Sequence, residues 1–174
     1  MKKRDVEYLD YLPTEWDRIF KKEYNNIHFL LPDMKIYVEH IGATSINGCR
    51  SFRNVDVLVS TQNFADIYTA KMLLCIDEYK ELPELGKEDM VVLIRKKKYG
   101  RVGVTVRIVE YGSETYLRFI AFKNILHDDY ERVLKYNHYR ELFFRQVDKD
   151  IKKYNEGKYL YINNLIDENW KLEK

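Results

Sequence analysis

Four residues, Gly42, Thr44, Ser45 and Asp56, have the types and spacing that could do chemistry. They lie in the run "EHIGATSINGCRSFRNVDVLVS", residues 39–60. A glycine turn followed by short hydroxyl side chains leaves backbone N–H groups exposed, so a loop of this kind can approach a phosphate closely. Asp56 follows within the next apolar run. If that run is a strand, Asn54, Asp56 and Leu58 share one face and Val55, Val57 and Val59 the other. A strand carboxylate beside a glycine-bearing loop is the core of a nucleotidyltransferase-type site. There the loop holds a triphosphate, and carboxylates hold the Mg²⁺ that neutralises developing charge. The same residues also have a purely structural reading. Gly42 and Gly48 serve turn geometry, Thr44 or Ser45 caps the turn, and His40 is a packed, hydrogen-bonded histidine. Asp56 is the strongest candidate, because a carboxylate on an apolar strand must be paired, hydrated or metal-bound.

The elements that would position these residues follow from periodicity. "LPTEWDRIFKKEYNNIHFLLP" reads as a helix, with Thr14 as N-cap and an apolar stripe of Trp16, Phe20, Tyr24 and Ile27. "KIYVEHIG" and "NVDVLVS" read as strands. "NFADIYTAKMLLCIDEY" reads as a helix offering Phe64, Ile67, Met72 and Ile76 for burial. "DMVVLIRKKKYGRVGVTVRIVEYGSE" reads as an antiparallel hairpin. From residue 128 one long helical pattern runs through Val133, Tyr136, Tyr139, Phe143, Val147, Ile151 and Tyr154, and after "NEGK" a last helix closes the chain. The order predicts an α+β fold with a mixed or antiparallel sheet flanked by helices and a helical C-terminal third, as one domain over residues 1–174.

Composition narrows the chemistry. With a net charge of +2 there is no global field to draw in nucleic acid. The cluster Lys96-Lys97-Lys98-Arg101 reads as a solvated hairpin tip, so nucleic acid is not an expected partner. Cys49 and Cys75 have no metal-like spacing and read as buried apolar groups in a reducing cytoplasm. No apolar run approaches the roughly 20 residues needed to cross a membrane, so no membrane partner is expected. There is no Gly-x-Ser-x-Gly elbow, no Gly-x4-Gly-Lys loop and no zinc spacing. The tyrosines are spread through helices and strands and read as core and interface edges rather than as one stacking platform.

"EHIGATSINGCRSFRNVDVLV" resembles the signature of the GrpB family, approximately E-H-I-G-S-T-[SA]-V-P-G-L-x-x-K-P-I-I-D-I-x-V. "YLPTEWDRIF", "RIVEYGSETYLRFIAFKNIL" and "YNHYREL" resemble three further family blocks, in family order. The resemblance implies a nucleotidyltransferase-like fold and leaves the reaction open, since the family has no settled one. Gly42, Thr44, Gly48 and Asp56 stand where the family has its glycines, threonine and aspartate. The departures are as informative. A transferase usually carries Asp-x-Asp on the Asp56 strand, and Leu58 holds the second position here. Thr105 and Arg107 replace two family histidines, Glu110 is retained, Arg140 stands for a helix lysine, and the terminal Tyr-x-x-x-Lys corresponds to Tyr159 followed by Asn163.

If the strand at 104–110 lies beside that of Asp56, Arg107 shares the face of Asp56 and is drawn to it, competing with Mg²⁺. The expectation is a pocket for a nucleotide or other phosphorylated small molecule. Its ligand-binding residues would be Gly42, Thr44, Ser45, Asp56, Arg107, Glu110 and Arg140, with transfer activity weak or lost. Asp56 is then the one candidate for a catalytic or metal-binding role, and Mg²⁺ enters only if transfer survives. The alternative is a non-catalytic module that kept the fold and binds a protein partner.

Overall fold

A computed structural model describes residues 9–99, 102–127 and 129–170, without the side chains of 96–99. The basic tip at Lys96, Lys97, Lys98 and Arg101 therefore lies outside the described side chains. Five strands form one mixed sheet: β1 (Ile36–Ile41), β2 (Asn54–Thr61), β3 (Lys80–Glu81), β4 (Met90–Tyr99) and β5 (Val102–Glu110). Their spatial order is β1-β2-β5-β4-β3, and β2 and β5 run parallel while every other neighbouring pair is antiparallel. The short β3 has no counterpart in the sequence reading.

Both faces of the sheet are covered, which explains the near-continuous apolar runs of β2 and β5. On one face Val55, Val57, Val59, Val104, Val106 and Ile108 pack against α1 (Pro13–Leu30) and α2 (Phe64–Ile76). On the other, Ile41, Leu58, Met90, Val92 and Val109 pack against α3 (Glu114–His127). Behind α3 lie α4 (Tyr130–Gln146) and α5 (Ile151–Trp170), which share a second apolar cluster with the loop after β1. No helix among the described residues is long and apolar enough to cross a membrane.

Several elements depart from their sequence reading. Leu12, not Thr14, is the N-cap of α1, because Pro13 takes the first helical position, where its missing N–H costs nothing. The buried stripe of α1 is Trp16, Ile19, Glu23 and Ile27, and Tyr24 is exposed. On α2 the buried residues are Ile67, Ala70 and Leu74; Phe64, Met72, Ile76 and Cys75 face out, since the small Ala70 marks the side that approaches the sheet. The long C-terminal pattern breaks at Asp148 and Lys149, both at positive φ. By contrast α5 runs straight through Gly157. A Cβ there would fall on the Phe143 ring of α4, and the Gly157 carbonyl accepts a hydrogen bond from the Tyr139 hydroxyl at 3.0 Å. Gly157 is a crossing point for two helices rather than a helix end.

Candidate functional site

Asp56 lies on β2 directly opposite Thr105, with Arg107 two pairs further along β5 opposite Leu58. Parallel pairing keeps parity, so Asp56, Thr105 and Arg107 project from the face covered by α3. Arg107 Nη1 donates to Asp56 Oδ1 at 2.7 Å, the pairing expected from sequence parity. Asn54 Nδ2 reaches Thr105 Oγ1 at 3.0 Å and Asp56 Oδ1 at 3.4 Å, steadying the carboxylate from its own strand. Gly42 follows β1 at φ +70, and a Cβ there would stand 2.9 Å from Asp56 Oδ2. Glycine is thus required twice over, for the left-handed turn and for room beside the carboxylate.

Positive charge gathers around this one acid. Arg107 also lies beside the Tyr159 hydroxyl and over the Phe119 ring at 5.6 Å. Burial disfavours its charge, but Asp56 and Tyr159 outweigh burial and hold its pKa above the ordinary value. Lys158 on α5 is close enough to Asp56, Arg107 and Arg140 for all three to act on its ammonium. Burial first, then the two arginines, pull its pKa from 10.5 to about 8, against the opposing pull of Asp56. The sequence reading missed Lys158, having taken "NEGK" as a break. Tyr154, Lys158 and Tyr161 at helical spacing would have put it on an inward face had the helix been continued through Gly157.

The remaining expected residues divide. Thr44 is buried, its Oγ1 3.0 Å from His40 Nε2, and Ser45 Oγ donates to the Gly42 carbonyl at 2.8 Å, so both hydroxyls serve the turn. Arg140 is buried. Its Nε donates to the Tyr154 hydroxyl at 2.7 Å and its Nη1 to the Arg50 carbonyl, both uncharged acceptors, so its charge still acts on the cluster. Glu110 is not brought to the site. It pairs with Thr61 at the far end of β5, on the opposite face from Arg107 and roughly 16 Å along the strand from Thr105. His40 is packed as expected: its ring stacks on Phe20 at 4.7 Å, and burial lowers its pKa to about 4 although Asp17 pulls it upward.

These side chains do not fit a divalent ion. Leu58 is fully buried in the core, and Asp56 already accepts the guanidinium of Arg107. No group of three or more candidate metal ligands occurs among the described residues. Two clefts, of about 390 and 360 Å³, open elsewhere: one between Tyr11, Gly48 and α4, the other beside β1. Neither is lined by Asp56 or Arg107. The Asp56 cluster is only partly exposed (side chains 13% and 23% for Arg107 and Asp56).

A model of the GrpB protein family matches residues 6–168. The crystal structure of the conserved protein GrpB from Enterococcus faecalis is similar at a TM-score of 0.74 and 21% identity, over 92% of this chain and 97% of that one. A chain of the GLD-2/RNP-8 complex is similar at a TM-score of 0.60 and 12% identity, over 88% of this chain and 51% of its own length. A cytoplasmic RNA terminal U-transferase is similar at a TM-score of 0.51 and 8% identity, over 76% and 41%. At such identities the likeness is one of fold: a nucleotidyltransferase-like sheet with helices on both faces. No match is found among curated proteins.

Proposed function

The chain belongs to the GrpB family, and from that premise we propose that it binds a nucleotide or another phosphorylated small molecule, with transfer activity weak or lost. The observation that carries this reading is the Asp56–Arg107 ion pair with Lys158 and Arg140 close by. One carboxylate among three cations leaves a surplus of positive charge in a partly buried place, which favours an anion. Transfer to a triphosphate needs a metal held by carboxylates beside an in-line nucleophile. A fixed positive charge about 4 Å from that divalent metal would oppose it by about 8 kcal/mol at an effective dielectric near 20.

Thermal-shift titration with ATP, UTP and pyrophosphate, each with Mg²⁺ and with chelator, tests the reading. A ligand at 100 times its Kd adds about 2.7 kcal/mol of stability. The expected result is stabilisation that survives the chelator, falls in Arg107→Ala, and persists or strengthens in Asp56→Ala as the arginine is released. Metal-dependent pyrophosphate release that disappears in Asp56→Ala would reveal a working transferase. If no phosphorylated probe shifts the melting point while a protein partner co-purifies in stoichiometric amount, the chain is an interaction module.

A further inference from the structure

The 360 Å³ cleft at the free edge of β1 plays no part in the phosphate site. It is lined by Tyr24 and His28 of α1, Tyr37 and Glu39 of β1, and Tyr111 and Tyr116 from the β5–α3 turn and α3. The rings form contacts along its wall: Tyr37 and Tyr111 centroids are 4.7 Å apart, Tyr111 and Tyr116 4.9 Å, Tyr24 and His28 4.5 Å. About half of the Tyr37 and Tyr111 surface stays open to solvent. Glu39 supplies the polar end. Its Oε2 is buried and has no hydrogen-bond partner among the described residues. An acceptor desolvated in this way is costly unless a donor reaches it. Burial, then the Glu39 charge and a hydrogen-bonding contact with that side chain, push the Tyr116 phenol above its ordinary range, so the neutral phenol serves the carboxylate from one side while Oε2 is left without a donor.

Electron-rich ring faces attract a cation whose alkyl groups shed water easily, and a buried carboxylate oxygen asks for one N–H. We propose that this cleft binds an alkylammonium ion that keeps at least one N–H, its carbons against Tyr37 and Tyr111 and its N–H donated to Glu39 Oε2. The volume falls within the range of small-ligand sites, roughly 300–1,000 Å³. The ion could arrive as a free amine or as the head of a methylated lysine side chain, and both present the same chemistry.

Three probes of one shape separate the terms: protonated N,N-dimethylaminoethanol, choline, which lacks the N–H, and 3,3-dimethylbutan-1-ol, which lacks the charge. In calorimetric or NMR titration of the full chain at pH 8, the dimethylamine is expected to bind about tenfold more tightly than choline, which forfeits the charge-assisted hydrogen bond. The neutral alcohol is expected to bind weakest. Glu39→Gln should lower dimethylamine affinity about tenfold or more, Tyr111→Leu by a similar factor, and Tyr111→Phe by no more than about twofold. Tyr111 is half exposed, so its variants test the cleft even if Glu39→Gln folds poorly. A peptide bearing dimethyl-lysine, run alongside, identifies the source by which of the two binds more tightly. Equal binding of the neutral alcohol, undiminished binding in the Glu39→Gln and Tyr111→Leu variants, or no binding of either amine at millimolar concentration would overturn the proposal.

Discussion

Each face of the sheet carries an arginine, and the two are treated in opposite ways. Behind the sheet, Arg95 is 1% exposed and each of its three nitrogens meets an acid: Glu78 at 3.2 Å, Glu23 at 3.2 Å and Asp77 at 2.7 Å. The Tyr79 hydroxyl donates to Glu23, and Asn26 holds Tyr79 from the side at 3.3 Å. That cluster ties α1, β4 and the segment after α2 together. In front of the sheet, among the described residues, Arg107 has one acid, Arg140 has only neutral acceptors, and Lys158 sits near both. A cation saturated by carboxylates is a structural tie. Cations that outnumber their acids carry a surplus of charge, and under the proposed function that surplus is where an anion binds.

The largest expected effect comes from breaking the saturated side. Arg95→Met removes the guanidinium that Glu23, Asp77 and Glu78 share, and the variant should lose about 3–5 kcal/mol in a urea titration. Next comes a titration that runs through His40, whose ring links β1 to α1 and to Thr44. Its folded pKa of about 4 lies below the unfolded 6.5. The unfolded chain therefore binds the extra proton between those values, and stability falls as pH drops from 6.5 to 4, by up to about 3 kcal/mol. His40→Gln should flatten this stretch of the stability–pH curve. Lys158 gives the same slope at the other end: with a folded pKa near 8 against 10.5 unfolded, stability should rise as pH climbs between them.

A smaller effect is expected where the open side is framed. Gly157→Ala sets a methyl on the Phe143 ring and should cost about 1–3 kcal/mol by overpacking. Because Lys158 is the next residue, the same variant should weaken binding of phosphorylated probes. The smallest effect sharpens the comparison most. Lys158→Met should cost phosphate affinity about tenfold, or about 1.4 kcal/mol, while leaving urea stability unchanged or raised. A loss of stability as large as that of Arg95→Met would mean that both clusters are structural ties.

Parity made the front of the site legible. Once β2 and β5 are neighbours in parallel, the even-numbered Asp56 and the odd-numbered Arg107 fall on one face because the register pairs 56 with 105. The same register removes Glu110, which falls on the other face and at the far end. Charged residues inside helices were the hidden part. The stripe of α1 was read from apolar side chains alone, so it missed Glu23, which is drawn inward by an arginine 72 residues away. Lys158 was hidden by Gly157, because a glycine reads as a helix end until the ring that needs its space is known.

The parallel pairing of β2 with β5 also governs the order in which the molecule can assemble. β1 with β2, and β4 with β5, are antiparallel neighbours close in sequence, and their loops close at low entropic cost. Asp56 and Arg107 stand 51 residues apart and meet only when those two units join along the central strands. The proposed anion site therefore needs that long-range step, and a chain stalled before it would hold its local hairpin strands without the proposed site. Refolding followed by a phosphorylated fluorescent probe should lag refolding followed by circular dichroism, since contacts of long sequence separation form slowly.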